Sequence, residues 1–162
     1  MKQLQIGVIG NSNPSKEEYK MAEEVGKLIA VNKGIVICGG LGGVMEAVAI
    51  GAKSKNGKTI GILPGKNKDS CNDYIDIPIA TGFGEARNII IVNSSDSIIA
   101  IGGSFGTLSE ISFALKKDIP LIGLNTWNVS DKIIKCEKPK DAVEIAFSLA
   151  NSSSNDFMRG KE

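Results

Sequence analysis

Short apolar segments alternate along this chain with longer segments of helical spacing, and this alternation constrains the fold more than any other feature. Several of the short segments are apolar at every position, which is typical of strands that are covered on both faces. The strands predicted on this basis are Leu4–Ile9, Ile35–Cys38, Thr59–Leu63, Ile75–Ile79, Ser97–Ile101 and Leu121–Leu124.

The segments between the strands carry helix boundary signals, such as Pro14 and Ser15 before the first of them and Pro120 after the fourth. The predicted helices are Ser15–Asn32, Gly43–Ser54, one that begins near Gly84 and includes Ile89–Val92, Thr107–Lys117 and Asp141–Ala150. Such alternation implies right-handed crossovers between parallel strands. We therefore expect one α/β domain over residues 1–150, with a Rossmann-like, doubly wound and mostly parallel sheet, followed by a flexible tail over residues 151–162.

The composition narrows the possible chemistry. The chain has no histidine, which excludes Ser-His-Asp and Cys-His catalysis as well as histidine-based zinc sites, and we predict no metal site. With 19 basic and 18 acidic residues the chain is nearly neutral, and it has no basic block and few aromatic residues. Nucleic acid is therefore not an expected partner.

The expected location is the cytoplasm, without a membrane partner. The first apolar segment, Leu4–Ile9, is too short for a secretory leader, and no apolar run approaches the roughly 20 residues of a membrane span. Cys38, Cys71 and Cys136 are odd in number and widely spaced, which indicates reduced thiols.

A first glycine-rich turn lies between a predicted strand and a predicted helix, and it is a candidate phosphate site. Glycines let the backbone approach a ligand closely, and the N–H groups and dipole of the following helix favour an anion. The alternative is a tight turn that only permits close packing of the helix on the strand. The candidate ligand-binding residues here are Gly39, Gly40, Gly42, Gly43 and Met45.

A second glycine-rich turn has the same position at another strand-to-helix junction. Gly103 and Gly106 leave room for a ligand, while Ser104 and Thr107 add hydroxyls that can bind phosphate oxygens. Two such turns are expected to converge where the strand order of the sheet reverses. Thr107 and Glu110 also match the T-x-x-E pattern of a helix capping box, and this alternative is compatible with phosphate binding.

Two further candidates lie on the same predicted edge of the sheet. Arg87 begins an otherwise apolar helix, where its guanidinium would hold a phosphate or a ribose hydroxyl; the alternative is an ion pair with Glu85 or Glu110. Gly10 and Asn11 follow the first strand, and they either contact the ligand or form a structural turn.

These motifs, in this order, resemble the LOG-type Rossmann superfamily over about residues 4–125. That superfamily includes cytokinin riboside monophosphate phosphoribohydrolases, molybdenum-cofactor carrier proteins and members historically mislabelled as lysine decarboxylases. The segments that carry the resemblance are Gly39-Gly40-Leu41-Gly42-Gly43-Val44-Met45, Arg87-Asn88 and Gly103-Ser104-Phe105-Gly106-Thr107-Leu108-Ser109-Glu110.

The sequence departs from the phosphoribohydrolases at three informative positions. The phosphoribohydrolases share the motif PGGxGTxxE. In this chain Gly102 stands at the position of its proline and Ser104 at that of its second glycine. Asn88 stands where those enzymes have a lysine after their arginine. The chain is therefore more similar to the carrier-like branch, and Asn88 joins the candidate ligand-binding residues.

The resemblance implies two functions that share one site. The first is hydrolysis of the N-glycosidic bond of a nucleoside 5′-monophosphate, with Glu110 and Arg87 as the candidate catalytic residues. The second is non-catalytic binding or carriage of molybdenum cofactor or a nucleotide. No cofactor is required in either case, the partner is a small phosphorylated ligand, and the resemblance implies a homodimer or a higher homo-oligomer. Single-strand DNA binding is a third alternative, which the neutral charge disfavours.

Overall fold

The computed structural model describes the backbone of residues 3–159 and the side chains of residues 3–152. The strands are β1 Gln5–Gly10, β2 Ile35–Cys38, β3 Lys58–Leu63, β4 Ile77–Ala80, β5 Ser97–Ile101, β6 Leu121–Leu124 and β7 Ile134–Cys136. The helices are α1 Lys16–Val31, α2 Val44–Lys53, α3 Asn88–Asn93, α4 Phe105–Lys116 and α5 Pro139–Arg159, with 3-10 turns at Lys68–Ser70 and Gly84–Arg87.

The seven strands form one sheet in the order β4-β3-β2-β1-β5-β6-β7, and every pairing between them is parallel. This arrangement confirms the predicted Rossmann-like α/β fold. The chain adds strands outward from β1 to β4, then returns to place β5 on the other side of β1. The strand order therefore reverses between β1 and β5, and ligands of such sheets bind beyond the carboxyl ends of the strands at this point.

Helices cover both faces of the sheet. On one face α1, α2 and α5 enclose a core that includes Val25, Val48 and Ala146, while α3 and α4 cover the other face through Ile91 and Ile111. Alternate residues of the central strands contribute to the two cores, so these strands are apolar at nearly every position. This is the reason that their sequences show no polar alternation.

Several elements differ from their predictions, among them β4, which runs from Ile77 to Ala80 and not from Ile75 to Ile79. The short strand β7 was not predicted, and it pairs with β6 through the register Ile122↔Ile134. Helix α4 begins at Phe105, two positions before the predicted start at Thr107. Helix α5 continues to Arg159, so it includes residues 151–159 of the segment expected to be a flexible tail, while residues 160–162 lie outside the described residues.

The edge strand β4 exposes Ile77 and Ile79 on either side of Pro78. Its inner side pairs with β3, with Pro78 opposite Gly61. In the part of the chain that the structure describes, no helix is both long enough and apolar enough to cross a membrane.

Candidate functional site

A cavity of about 240 Å³ lies at the carboxyl edge of the sheet, beside the point where the strand order reverses. It combines the end of β1, the turns that follow β2 and β5, and the 3-10 turn before α3. The residues that line it are Val8, Ile9, Gly10, Ser12, Gly39, Leu41, Met45, Glu85, Arg87, Asn88, Ser104, Gly106, Thr107 and Glu110. The structure thus brings together segments from all the sequence motifs.

The N-terminus of α4 faces this cavity and lacks an internal cap. Ser104 is the N-cap residue, but its side chain accepts no hydrogen bond from the helix. Thr107 is only 2% exposed, and its hydroxyl has no hydrogen-bond partner. The predicted capping box of Thr107 and Glu110 is therefore wrong, because the helix begins before Thr107 and this threonine lies inside its first turn. Both side chains are left to line the cavity.

Arg87 brings a buried guanidinium to the same cavity. The residue is 6% exposed, and its Nη1 donates a hydrogen bond to Asn88 Oδ1 while its Nε has no partner. No ion pair within 4 Å joins Arg87 to Glu85 or Glu110, so the alternative of a structural ion pair is wrong. A buried guanidinium with a free N–H is suited to bind an anion.

Gly39 makes room for this guanidinium. A Cβ at Gly39 would lie 2.9 Å from Arg87 Nη2 and would also collide with Met45 Sδ. The first glycine turn therefore contributes to the cavity mainly by letting Arg87 and Met45 meet over a bare backbone.

Asn88 connects Arg87 to helix α4 through hydrogen bonds of its side-chain amide. Its Oδ1 accepts from Arg87, and its Nδ2 donates to Ser109 Oγ at 3.1 Å. Ser109 Oγ in turn donates to the Gly106 carbonyl at 2.7 Å. The amide of Asn88, which stands where the phosphoribohydrolases have a lysine, thus fixes the position of Arg87 relative to α4.

Glu110 lies in the floor of the cavity and is 6% exposed. Burial raises the pKa of this carboxyl to about 8, the nearby Arg87 guanidinium opposes the rise, and the Glu85 carboxylate adds to it. Glu110 is therefore mainly protonated at neutral pH. No hydrogen bond or ion pair engages its carboxyl among the described residues.

Some predicted site residues do not line the cavity, and most of these serve packing or hold a turn. Gly43 has φ 68°, and a Cβ there would lie 2.5 Å from the carbonyl oxygens of Asn11 and Ser12. Gly40 packs on Gly61 and Leu63 of β3. Gly42 has open space around it, and Gly103 packs against Thr107 and Trp127. Asn11 holds the first turn through its carbonyl, which accepts from Val44 N at 3.0 Å.

Gly102 stands where the phosphoribohydrolase motif has proline, and its backbone conformation explains the difference. Gly102 adopts φ 57°, which the ring of proline cannot reach. The turn is braced from outside by the loop after β6, where Thr126 Oγ1 donates to the Gly102 carbonyl at 2.6 Å and Trp127 Nε1 donates to the Ser104 carbonyl at 3.2 Å.

Five lining residues were not among the predicted site residues, namely Val8, Ile9, Ser12, Leu41 and Glu85. Ser12, Leu41 and Glu85 lie inside the motifs that the sequence indicated, so proximity in sequence was the available signal. Val8 and Ile9 belong to the core strand β1 and carry no such signal. Among the described residues no group of three or more Cys, Asp or Glu side chains is placed to hold a metal ion.

Comparison with known proteins gives one family and several relatives. The model of the SLOG cluster4 family matches residues 3–153. An "Uncharacterized protein" of Archaeoglobus fulgidus is 51% identical over 148 residues, which is 91% of this chain and 97% of that protein. A probable cytokinin riboside 5′-monophosphate phosphoribohydrolase of Oryza sativa subsp. japonica is 29% identical over 106 residues, which is 63% of this chain and 47% of that protein.

Solved structures extend the similarity to nearly the whole fold. The molybdenum cofactor binding protein of Rippkaea orientalis is 38% identical with a TM-score of 0.87, over 92% of this chain and 98% of that one. A Moco carrier protein of Chlamydomonas reinhardtii is 33% identical with a TM-score of 0.85, over 93% and 99% of the two chains. DNA processing protein A of Streptococcus pneumoniae shares the fold alone, at 18% identity and a TM-score of 0.70 over 88% of this chain and 61% of that one.

Proposed function

The chain belongs to the SLOG cluster4 family, and we propose that its cavity binds the phosphate group of a small molecule, either a molybdopterin-type ligand or a nucleotide, and carries it unchanged. The phosphate would lie between the N-terminus of α4 and the Arg87 guanidinium. Ser104, Gly106 and Thr107 would surround it on the helix side. This assignment retains the sequence-based ligand residues that line the cavity.

One observation carries the proposal. Among the described residues, two buried polar groups, the Thr107 hydroxyl and Arg87 Nε, have no hydrogen-bond partner and belong to residues that line the same cavity. Leaving such groups unpaired costs about 1–3 kcal/mol each, and more for a charged group. An anion that accepts from both groups would remove this cost, and the positive end of the α4 dipole would favour it further.

The comparisons favour a carrier over a hydrolase. Two similar solved structures with molybdenum cofactor or Moco in their names match this chain over at least 92% of its length at 33–38% identity. The phosphoribohydrolase similarity is weaker, and it extends over 47% of that enzyme. Asn88, which binds Arg87 and Ser109, also departs from the lysine of the hydrolase motif.

Hydrolysis of a nucleoside 5′-monophosphate is the second candidate, supported by the position of Glu110 and Arg87 in one cavity. Water would add across the glycosidic bond, giving ribose 5-phosphate and the free base, which takes the proton. A carboxyl that is protonated near neutral pH is a suitable acid for the leaving base. The homo-oligomer and the cytoplasmic location stay predictions, and light scattering on purified protein tests the first.

Thr107→Val and Ser97→Ala form a matched pair that tests the binding site. Each removes a buried hydroxyl without a partner, but Ser97 lies in β5 and does not line the cavity. We expect Thr107→Val to weaken the binding of AMP, GMP or molybdopterin about tenfold, since a hydrogen bond to a charged group is worth roughly 1.5–3 kcal/mol. Ser97→Ala should bind normally. Calorimetry measures both, and equal affinities in the two variants would refute the proposed phosphate position.

Chromatography of the same incubations separates the two candidate functions. A carrier returns every nucleotide intact, whereas a hydrolase releases free base in the native protein and not in Glu110→Gln. Release of base at a rate that the substitution removes would replace the carrier proposal by the hydrolase.

A further inference from the structure

We infer that Glu110 is a neutral hydrogen-bond donor to the bound anion, and that loss of its proton releases the anion. This assignment rests on the proposed anion site and gives that site a chemical preference. It differs from a role in which Glu110 is ionised and takes a proton from water.

The geometry leaves Glu110 with no other partner. Its side chain is 6% exposed and contributes to the same cavity wall as Thr107, one helical turn away on α4. No hydrogen bond or ion pair within the described residues engages its carboxyl, and Asn88 holds Nη1 of the nearest guanidinium, that of Arg87. A buried carboxyl without a cationic partner is most stable in its neutral form.

Two charged groups act on the pKa of the Glu110 carboxyl in opposite directions. Arg87 favours the ionised form, whereas Glu85, on the same 3-10 turn, disfavours it. On the sheet side Cys38, at the end of β2, interacts electrostatically with Glu110, and burial raises the pKa of this thiol to about 11. Burial dominates, and the pKa of Glu110 is about 8. Below this pH the carboxyl is a donor.

The proton state decides whether the cavity accepts an anion. A neutral carboxyl donates a strong, charge-assisted hydrogen bond to a phosphate oxygen, as buried neutral carboxyl groups do for oxyanions in other sites. An ionised carboxylate offers only acceptors and repels the same oxygen. Binding of a dianion should therefore be constant below about pH 8 and should weaken as the pH rises further.

Sulfate is the probe that isolates this effect, because it stays a dianion throughout the range tested. The methyl resonance of Met45, whose side chain contacts the cavity, reports binding by ¹³C NMR, and Met21 on α1 is an internal control. We expect the apparent Kd of sulfate to rise about tenfold between pH 7 and pH 9, as one linked proton requires. Calorimetry at pH 8.5 in two buffers of different ionisation enthalpy should detect proton uptake on binding.

Glu110→Gln and Glu85→Gln are the two variants that complete the test. Glu110→Gln keeps a neutral donor, so it should bind sulfate at pH 7 within about threefold of the native affinity and with no pH dependence. Glu85→Gln removes the same charge from the rim, so the pH dependence should persist with a lower midpoint.

Three results would overturn the donor role while leaving the anion site in place: a native affinity that is constant to pH 9.5, binding without proton uptake, or a folded Glu110→Gln protein that does not bind. Failure of sulfate to shift Met45 at any pH would instead refute the proposed anion site itself, and the donor role with it.

Discussion

The two glycine-rich turns have nearly the same sequence signal but different physical roles. In the turn after β2, Gly40 and Gly43 have positive φ and make room for the chain's own backbone and side chains. In the turn after β5, Gly102 and Gly103 reverse the chain so that α4 presents Thr107 and Glu110 to the cavity. Both turns make room for the chain's own groups, but only the second leads into a helix whose first turn carries a buried hydroxyl without a partner among the described residues.

A glycine-rich turn therefore predicts that another group lies close to the backbone, but it does not indicate whether that group is a ligand or part of the protein. At Gly39 the neighbour is Arg87, at Gly43 it is the loop after β1, and at Gly106 the nearest atoms of Glu85 and Asn88 are 3.9 and 4.0 Å from a Cβ position. Of these three positions, only Gly106 leaves space for a ligand. Stability should therefore depend on the first turn, and ligand chemistry on the second.

Gly43→Ala should have the largest effect on stability. The new Cβ would lie 2.5 Å from two carbonyl oxygens at φ 68°, so the loop after β1 must move. We expect a loss of about 4 kcal/mol or more. Gly42→Ala is the matched control, since nothing lies within 4 Å of its Cβ position, and it should change stability by less than about 0.5 kcal/mol. Urea unfolding of both proteins measures the contrast, which equal midpoints would contradict.

Glu110→Gln should change how stability depends on pH. Glu110 has a pKa near 4.5 when unfolded and about 8 when folded, so between these values the folded state keeps a proton that the unfolded state has lost. Native stability therefore falls as the pH rises from 4.5 to 8, by an amount on the order of 4 kcal/mol. The glutamine variant should lack this decline. Denaturant unfolding at pH 5, 6.5 and 8 measures it, and parallel profiles for the two proteins would argue against a buried neutral carboxyl.

Thr126→Val should have the smallest effect, and it tests the bracing of the second turn. It removes the hydrogen bond to the Gly102 carbonyl. Thr81→Val removes a similar bond, of 2.7 Å, to the Leu63 carbonyl, together with the bond that its hydroxyl accepts from Phe83 N at 3.2 Å. Each should cost about 1 kcal/mol of stability. Only Thr126→Val should also weaken sulfate binding, by about threefold, because its bond helps to hold the turn that leads into α4 and the bond of Thr81 to Leu63 does not. A similar loss of binding in Thr81→Val would show that the loop after β6 has no special role.

The fold could be predicted from the sequence because the central strands are buried on both faces. Ile35–Cys38, Ser97–Ile101 and Leu121–Leu124 were predicted to the residue, since continuous apolar runs between helices leave few alternatives. Strand β7 was missed because Ile134-Lys135-Cys136 is short and partly exposed, and its conformation depends on pairing with β6. The start of α4 was placed too late because T-x-x-E at Thr107 matches a cap signal that the helix does not use.

The sequence predicted which segments form the site, but it did not predict the contacts of their side chains. Most of the predicted ligand residues line the cavity, because motifs at the carboxyl ends of adjacent parallel strands must meet there. The sequence could not indicate that both polar ends of the Asn88 amide bind protein groups, or that Glu110 is buried away from any ion pair. Both facts depend on side chains from different elements, which no local pattern encodes.

The proline in β4 affects a property unrelated to the cavity, namely the tendency of this sheet edge to pair with strands of other protein molecules. An outer strand with two exposed isoleucines is a template for intermolecular pairing and aggregation. Pro78, between Ile77 and Ile79, has no N–H to donate and so interrupts any continuous ladder along that edge. Evolutionary or engineered replacement of this one residue by valine would leave the fold in place and make the protein more prone to self-associate into insoluble material.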